Sequence, residues 1–169
     1  MSHPLVLAVF ESPASAATAA RALHRIGIPR DRISVVTRSH DEEGALAEQM
    51  DATPGADIED SRPAAILGEL GGQVLAAIAL VMPGIGPIVA AGPLSAGLGE
   101  AAGHVAGSVA SVLAHAGVPD ERADALQRAV ESGAVLLGVH ASGTDIEPIR
   151  QAMETAGARE IETARWNPG

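Results

Sequence analysis

An internal repeat joins the two ends of the chain and constrains its fold more than any other feature. Near each end, an apolar strand is followed by a short polar turn, a helix, a glycine and a second strand. Val9 and Gly27 are separated by the same number of residues as Val139 and Gly157. Each end is therefore predicted to be a βαβ unit, and we expect the two units to share one sheet.

The hydropathy of the four repeated strands predicts where each one lies in that sheet. Residues 5–10 and 134–139 are apolar on both faces, which is typical of central strands that are covered on each side. Residues 33–37 and 161–165 alternate between apolar and polar, as edge strands do. The sequence thus predicts an α+β fold, a ferredoxin-like βαβ…βαβ sandwich with strand order 4-1-3-2.

Signals at the helix ends agree with this interpretation. Ser12 is a predicted N-cap, and Pro13 follows at the first helical position, where proline is favoured. Gly27 and Gly157 follow the two predicted helices, where a residue in the left-handed conformation commonly ends a helix.

A long connection separates the two halves and divides the chain into five predicted regions. They are the first βαβ half (1–38), an acidic linker (39–62), a glycine-zipper helical hairpin (63–117), a connecting helix (118–132) and the second βαβ half (133–169). The linker's Asp57, Glu59 and Asp60 offer oxygen ligands for a cation, but their spacing is not that of an EF-hand.

Small residues recur every four positions in the hairpin region, at Ala64–Ala76 and again from Ser95 to Ser111. Residues four apart share one helix face, and a face of small residues lets a second helix approach closely. We therefore predict two antiparallel helices that pack along these faces. The predicted packing residues are Gly68, Gly72, Ala76, Gly99, Gly103, Gly107 and Ser111. The predicted turn between the arms contains Pro83, Gly84, Gly86 and Pro87.

The environment of this hairpin stays open at the level of sequence. Residues 74–99 carry no charge, but proline and glycine interrupt the run, and Glu69 and Glu100 lie in the two arms. The alternatives are a hairpin buried in a soluble oligomer, one inserted into a membrane, and one that converts between the two. The N-terminus lacks a basic region and a cleavage site, so we expect a cytoplasmic location, with membrane association as the alternative.

Composition argues against several classes of chemistry. The chain has no Cys, all 11 basic residues are Arg, and the net charge is −10 at pH 7. Thiolate chemistry, a Schiff-base lysine and a phosphate-binding P-loop lysine are therefore excluded, and nucleic acid is a poor partner. The six His residues show no i, i+4 pair. We predict no catalytic, cofactor-binding or metal residues, no cofactor, no evident small-molecule substrate and no enzymatic activity.

Four segments resemble those of the bacterial general-stress-protein-like domain family, whose members are often labelled low-temperature-induced. They are PGIGP, AAGPLSAGLG, the following GxxxGxxxG run and GVPDERADALQRAVESGAVLLGV. The resemblance implies a stress association and a glycine-rich inserted hairpin, and it implies no established catalytic residues.

Three hypotheses for function follow. The leading one is a non-catalytic, stress-associated protein that self-associates, as a dimer or larger homo-oligomer, because so few aromatic residues cannot cover all the apolar faces. The alternatives are a membrane-associating protein that inserts its hairpin and a small-ligand sensor at a subunit interface, the latter by fold analogy alone.

Overall fold

The computed structural model describes residues 2–38, 77–82, 86–102, 107–142 and 145–166. These residues contain strands and helices in the following order: β1 (His3–Phe10), α1 (Pro13–Arg25), β2 (Ile33–Arg38), β3 (Ala77–Met82), β4 (Gly86–Ala91), α2 (Pro93–Ala102), α3 (Val109–His115), α4 (Asp120–Glu131), β5 (Val135–His140), α5 (Ile146–Thr155) and β6 (Glu160–Trp166). A short 3-10 turn, Arg30–Arg32, precedes β2.

The strands form one antiparallel sheet in the order β3-β4-β2-β5-β1-β6. The predicted α+β class is confirmed. The strand order differs in detail from the predicted one, because the sheet continues beyond β2 through β4 and β3. Leu5 of β1 lies opposite His140 of β5, and on the other side of β1 His3 lies opposite Trp166 of the edge strand β6.

The prediction that β2 is an edge strand was wrong. β4 pairs with β2 along its outer side, with Val35 opposite Ala91, and five of the six β2 residues are buried. The polar positions that suggested an exposed face are Ser34 and Thr37, and both side chains are buried. β6 does lie at an edge, and its residues are mostly exposed or half-buried.

The predicted helical hairpin is also corrected within the described residues. Residues 77–82 and 86–91 form a β-hairpin, not a helical arm. Both segments are short and rich in aliphatic residues, and the prolines and glycines of residues 83–87 interrupt the chain between them, so a pair of strands suits them better than long helical arms. In the second arm, α2 ends at Ala102 and a separate helix, α3, starts after Ser108. Ser108 is the N-cap in a capping box with Ser111, so the predicted four-residue stripe does not follow one continuous helix.

Helices cover both faces of the sheet and form two hydrophobic clusters. On one face, α1 and α5 pack over Val6, Ala8 and their neighbours. On the other face, α2, α3 and α4 pack over Leu5 and Leu7. The prediction that the central strands are covered on both sides is therefore confirmed, and the described residues form three layers.

The helix ends of the repeated units follow the sequence signals. The Ser15 N–H donates to the Ser12 hydroxyl oxygen (3.2 Å) at the start of α1. Gly27 and Gly157 follow α1 and α5 with φ of +92° and +97°, as predicted. The connecting helix begins at Asp120, after the N-cap Pro119.

Candidate functional site

Two glycines let the first turn of α2 lie directly on the sheet. Gly92 joins β4 to α2 with φ of +80°, and a Cβ at this position would overlap the carbonyl oxygen of Ile33 in β2. A Cβ at Gly138 would lie 3.1 Å from Leu7 and 3.2 Å from Leu94. A side chain at Gly92 would overlap the backbone of β2, so this glycine is needed for the close approach, whereas one at Gly138 would require Leu7 and Leu94 to shift by a few tenths of an ångström.

The side chain of Ser34 caps α2 from the neighbouring strand. The Leu94 N–H donates to the Ser34 hydroxyl oxygen at 3.0 Å, and Ser34 is fully buried. The first N–H groups of a helix have no partner within the helix, and a buried one must be satisfied by another group. Ser34 therefore acts on α2 as an N-cap residue would, although it is distant in sequence.

His140, at the end of β5, continues this chain of polar contacts toward the rim of the sheet. Its Nε2 lies 3.4 Å from the Ser34 hydroxyl oxygen, and its Nδ1 lies 3.0 Å from Nε2 of His3. Only 5% of His140 is exposed, whereas His3 is half-buried. The Trp166 indole and the His140 ring pack in a T-shaped arrangement, with an interplanar angle of 89° and ring centroids 5.1 Å apart. We refer to Ser34, His140, His3 and Trp166 as the histidine cluster.

The hydrogen bonds indicate which nitrogen of His140 carries the proton. Because Ser34 accepts from Leu94, its own hydrogen is free to donate to Nε2 of His140. The proton of a neutral His140 then belongs on Nδ1, from where it donates to His3. The opposite tautomer would leave the buried Ser34 hydroxyl without an acceptor among these groups.

The environment keeps His140 uncharged. Burial, and to a lesser extent the nearby charge of a protonated His3, lower the pKa of His140 to about 4. At neutral pH His140 is therefore neutral, as the hydrogen bonds with Ser34 and His3 require.

The order of Ser34, His140 and His3 superficially matches a nucleophile, a base and an orienting group. The geometry does not suit that chemistry, because Ser34 is fully buried and its oxygen already accepts the Leu94 N–H. Nor does any group of three His, Asp or Glu side chains lie close enough to hold a metal ion within the part of the chain that the structure describes. What the cluster does is attach the start of α2 to β2, β5 and β1.

The structure places the predicted packing residues on several elements. Gly99 lies half-buried in α2, Gly107 is buried just before α3, and Ser111 completes the capping box of α3. Gly86 and Pro87 are the first residues of β4, and the chain reverses between Met82 and Gly86. Outside the described residues lie the acidic linker and Gly68, Gly72, Ala76, Pro83, Gly84 and Gly103.

Sequence reasoning missed two features of this region. One is the close contact between α2 and α3 at Gly97, which was not among the predicted packing residues and where a Cβ would lie 3.1 Å from Val112. The pairing of His3 with His140 was missed because the residues are 137 positions apart. The predicted strand order nevertheless places the first and third strands side by side. In an antiparallel pair the start of one strand lies beside the end of the other, so the order already implied that His3 and His140 are close.

The two edges of the sheet differ in charge. β6 carries Glu160, Glu162 and Arg165, and Arg122 of α4 forms an ion pair with Glu162 at 2.8 Å. β3, at the opposite edge, has the sequence AIALVM and no charged residue. Within the described residues, β3 pairs with β4 alone.

Comparisons with protein-family models, with curated proteins and with solved structures each return no match for this chain. Each helix in the described ranges is too short or too polar to cross a lipid bilayer.

Proposed function

We propose that this chain is a non-catalytic, stress-associated protein that self-associates through its apolar hairpin and sheet surfaces. The observation that carries this proposal is the uncharged edge strand β3. An edge strand presents unpaired N–H and C=O groups, and proteins that remain monomeric usually protect such edges with charges, prolines or bulges. β6 has this protection and β3 lacks it.

The charge distribution along the chain supports the same function. The protein carries a net charge of −10, yet residues 74–99 contain no charged side chain. The β3–β4 hairpin lies within this uncharged run. An uncharged strand at the edge of the described sheet lowers the repulsion between two acidic copies where they meet, which favours self-association there.

Two further observations support the remaining parts of the proposal. The resemblance of residues 83–99 and 117–139 to the general-stress-protein-like family supports the stress association. The buried, already bonded hydroxyl of Ser34 supports a packing role, and not a catalytic one, for the serine–histidine contact described above.

Light scattering behind a size-exclusion column, on protein purified without detergent, tests the self-association. We expect a discrete oligomer, and a monodisperse monomer across a wide concentration range would contradict the proposal. Protein recovered only in detergent would instead support the membrane-associating alternative. The stress association is tested separately, by following the abundance of the protein in its own cells after a temperature downshift.

A further inference from the structure

We infer that β3 pairs with β3 of a second copy of this chain, antiparallel across a two-fold axis, so that the two six-stranded sheets become one continuous sheet. This inference rests on the proposed function, and it names the surface and the partner through which self-association occurs.

The backbone of β3 supplies the bonds for such pairing. In an antiparallel strand, every second residue points its N–H and C=O groups away from the neighbour that it already pairs with. Within the described residues β3 pairs only with β4, so the outward-pointing groups of Ala77–Met82 form such a row, and the strand contains no proline that would remove a donor. A second antiparallel strand satisfies all of these groups at once.

The partner is a second copy because the two edges of this sheet are not equivalent. Pairing of β3 with β6 of another copy would bring an uncharged strand against Glu160, Glu162 and Arg165, and would continue as an open chain of subunits. Pairing of β3 with β3 obeys two-fold symmetry, so the assembly ends with a dimer. The protected β6 edge therefore favours a dimer over a fibre.

Repulsion between two acidic copies does not prevent their β3 strands from pairing. Five strand spacings of ~4.8 Å separate β3 from β6, so the β6 charges lie about 24 Å from the proposed interface. This distance is well beyond the Debye length of about 8 Å at physiological ionic strength. The ion pairs of Arg122 with Glu162 and Glu160 lie at the same remote edge.

Cysteine scanning tests the pairing, since the chain contains no native Cys. A two-fold axis perpendicular to the sheet places one residue of β3 opposite its own copy, with Cα atoms about 4.5–5.5 Å apart, which a disulfide can bridge. Single cysteines at positions 77 to 82 should give a disulfide-linked dimer at one position, and the yield should fall on both sides of it. Thr163→Cys, on exposed β6, is the control that should form no disulfide-linked dimer under oxidation.

A charge substitution provides a second, independent test. Ala79→Lys places two like charges near the axis and should raise the dissociation constant of the dimer on the order of tenfold or more. Thr163→Lys adds the same charge to β6 and should leave the dimer unchanged. Circular dichroism of both variants checks that they fold, and Val81→Lys replaces Ala79→Lys if that variant does not.

The outcomes separate this inference from the proposed function. A crosslinking maximum within β3 together with a weakened dimer in Ala79→Lys supports both. A wild-type protein that is a dimer, but shows neither effect, overturns the β3 pairing and leaves self-association through another surface. A wild-type protein that is monomeric at all concentrations overturns both.

Discussion

The charge state of His140 links proton binding to folding. Its pKa is about 4 in the folded protein, against an ordinary value of 6.5. As pH falls below about 6.5, the unfolded chain takes up a proton at this residue while the folded protein resists it, so protonation favours unfolding. The stability that depends on neutral His140 is fully present above about pH 6.5 and is lost progressively as pH falls toward 4.

We predict that His140 alone removes about 2 kcal/mol of unfolding free energy between pH 7.5 and pH 4.5, since one pKa unit corresponds to about 1.4 kcal/mol. Urea denaturation of the wild type and of His140→Gln at both pH values measures it. Acidic residues titrate in both proteins and cancel in the comparison. The variant is expected to be less stable at pH 7.5 and to lose less stability on acidification. Equal losses in the two proteins would contradict the prediction.

Ser34 gives a second prediction at the level of one side chain. Ser34→Ala removes the acceptor for the Leu94 N–H and the donor to His140, both in a buried setting. We expect a loss of about 1–3 kcal/mol in unfolding free energy, the usual cost of leaving a buried polar group without a partner. Ser132→Ala is the control, because that exposed hydroxyl bonds only the nearby Ala129 carbonyl, and a similar loss in both variants would contradict the assigned role.

The turn between β4 and α2 is the element whose geometry depends most on a glycine. We predict that Gly92→Ala destabilises the protein by more than about 3 kcal/mol, because a left-handed alanine costs roughly 1–2 kcal/mol and this one also meets the backbone of Ile33. Gly157→Ala has nearly the same φ and open space around the added Cβ, so about 1–2 kcal/mol is expected there. Thermal unfolding of the two variants measures the difference, and equal losses would show that the approach of β4 to β2 is not tight.

The elements that sequence reasoning located correctly are those with strong local signals. α1 has a capping serine, a first-turn proline and a terminal glycine, and β1 and β5 are long apolar runs that fit only covered central strands. Residues 77–91 carry no such signal, because an uncharged run between glycines and prolines has neither a helical nor a strand period. These residues form strands because β4 pairs with the side of β2 that β5 does not occupy. This is a tertiary contact, and no local sequence pattern reveals it.

The candidate site was predictable to a similar, partial degree. His3 and His140 stand at opposite ends of neighbouring strands, so the predicted topology implied their proximity. The role of Ser34 was not predictable, because it depends on where α2 begins over the sheet. A serine in an alternating strand suggests solvent exposure until the helix that buries it is known.

At the scale of the whole molecule, the inserted segment adds a third layer to what would otherwise be a two-layer fold. The repeated ends alone leave one face of the sheet open, and α2, α3 and α4 cover that face with a second cluster as large as the first. The same insertion extends the sheet by β4 and β3. The insertion therefore covers one apolar face and makes β3 the edge strand on that side of the described sheet. A strand added to such an edge is recognised through backbone hydrogen bonds as well as through buried area.

Because β3 is uncharged while the chain as a whole is acidic, we expect the strength of dimerisation to depend on salt concentration. Each copy carries −10, so association opposes long-range repulsion that salt screens, while backbone pairing and apolar contact are little affected. We expect the dissociation constant of the dimer to fall several-fold between about 0.02 and 0.3 M NaCl, as the Debye length shortens, when measured by sedimentation equilibrium.

A charge-reduced variant separates this repulsion from other effects of salt. Glu147→Gln with Glu154→Gln removes two exposed charges from α5, on a helix layer away from β3. At low salt this variant should dimerise more tightly than the wild type, and at high salt the two should converge, because only the long-range term differs between them. A dimer that weakens as salt is added would require ion pairs in the interface, which an uncharged strand does not supply. That result would move the interface from β3 to a charged surface of the protein.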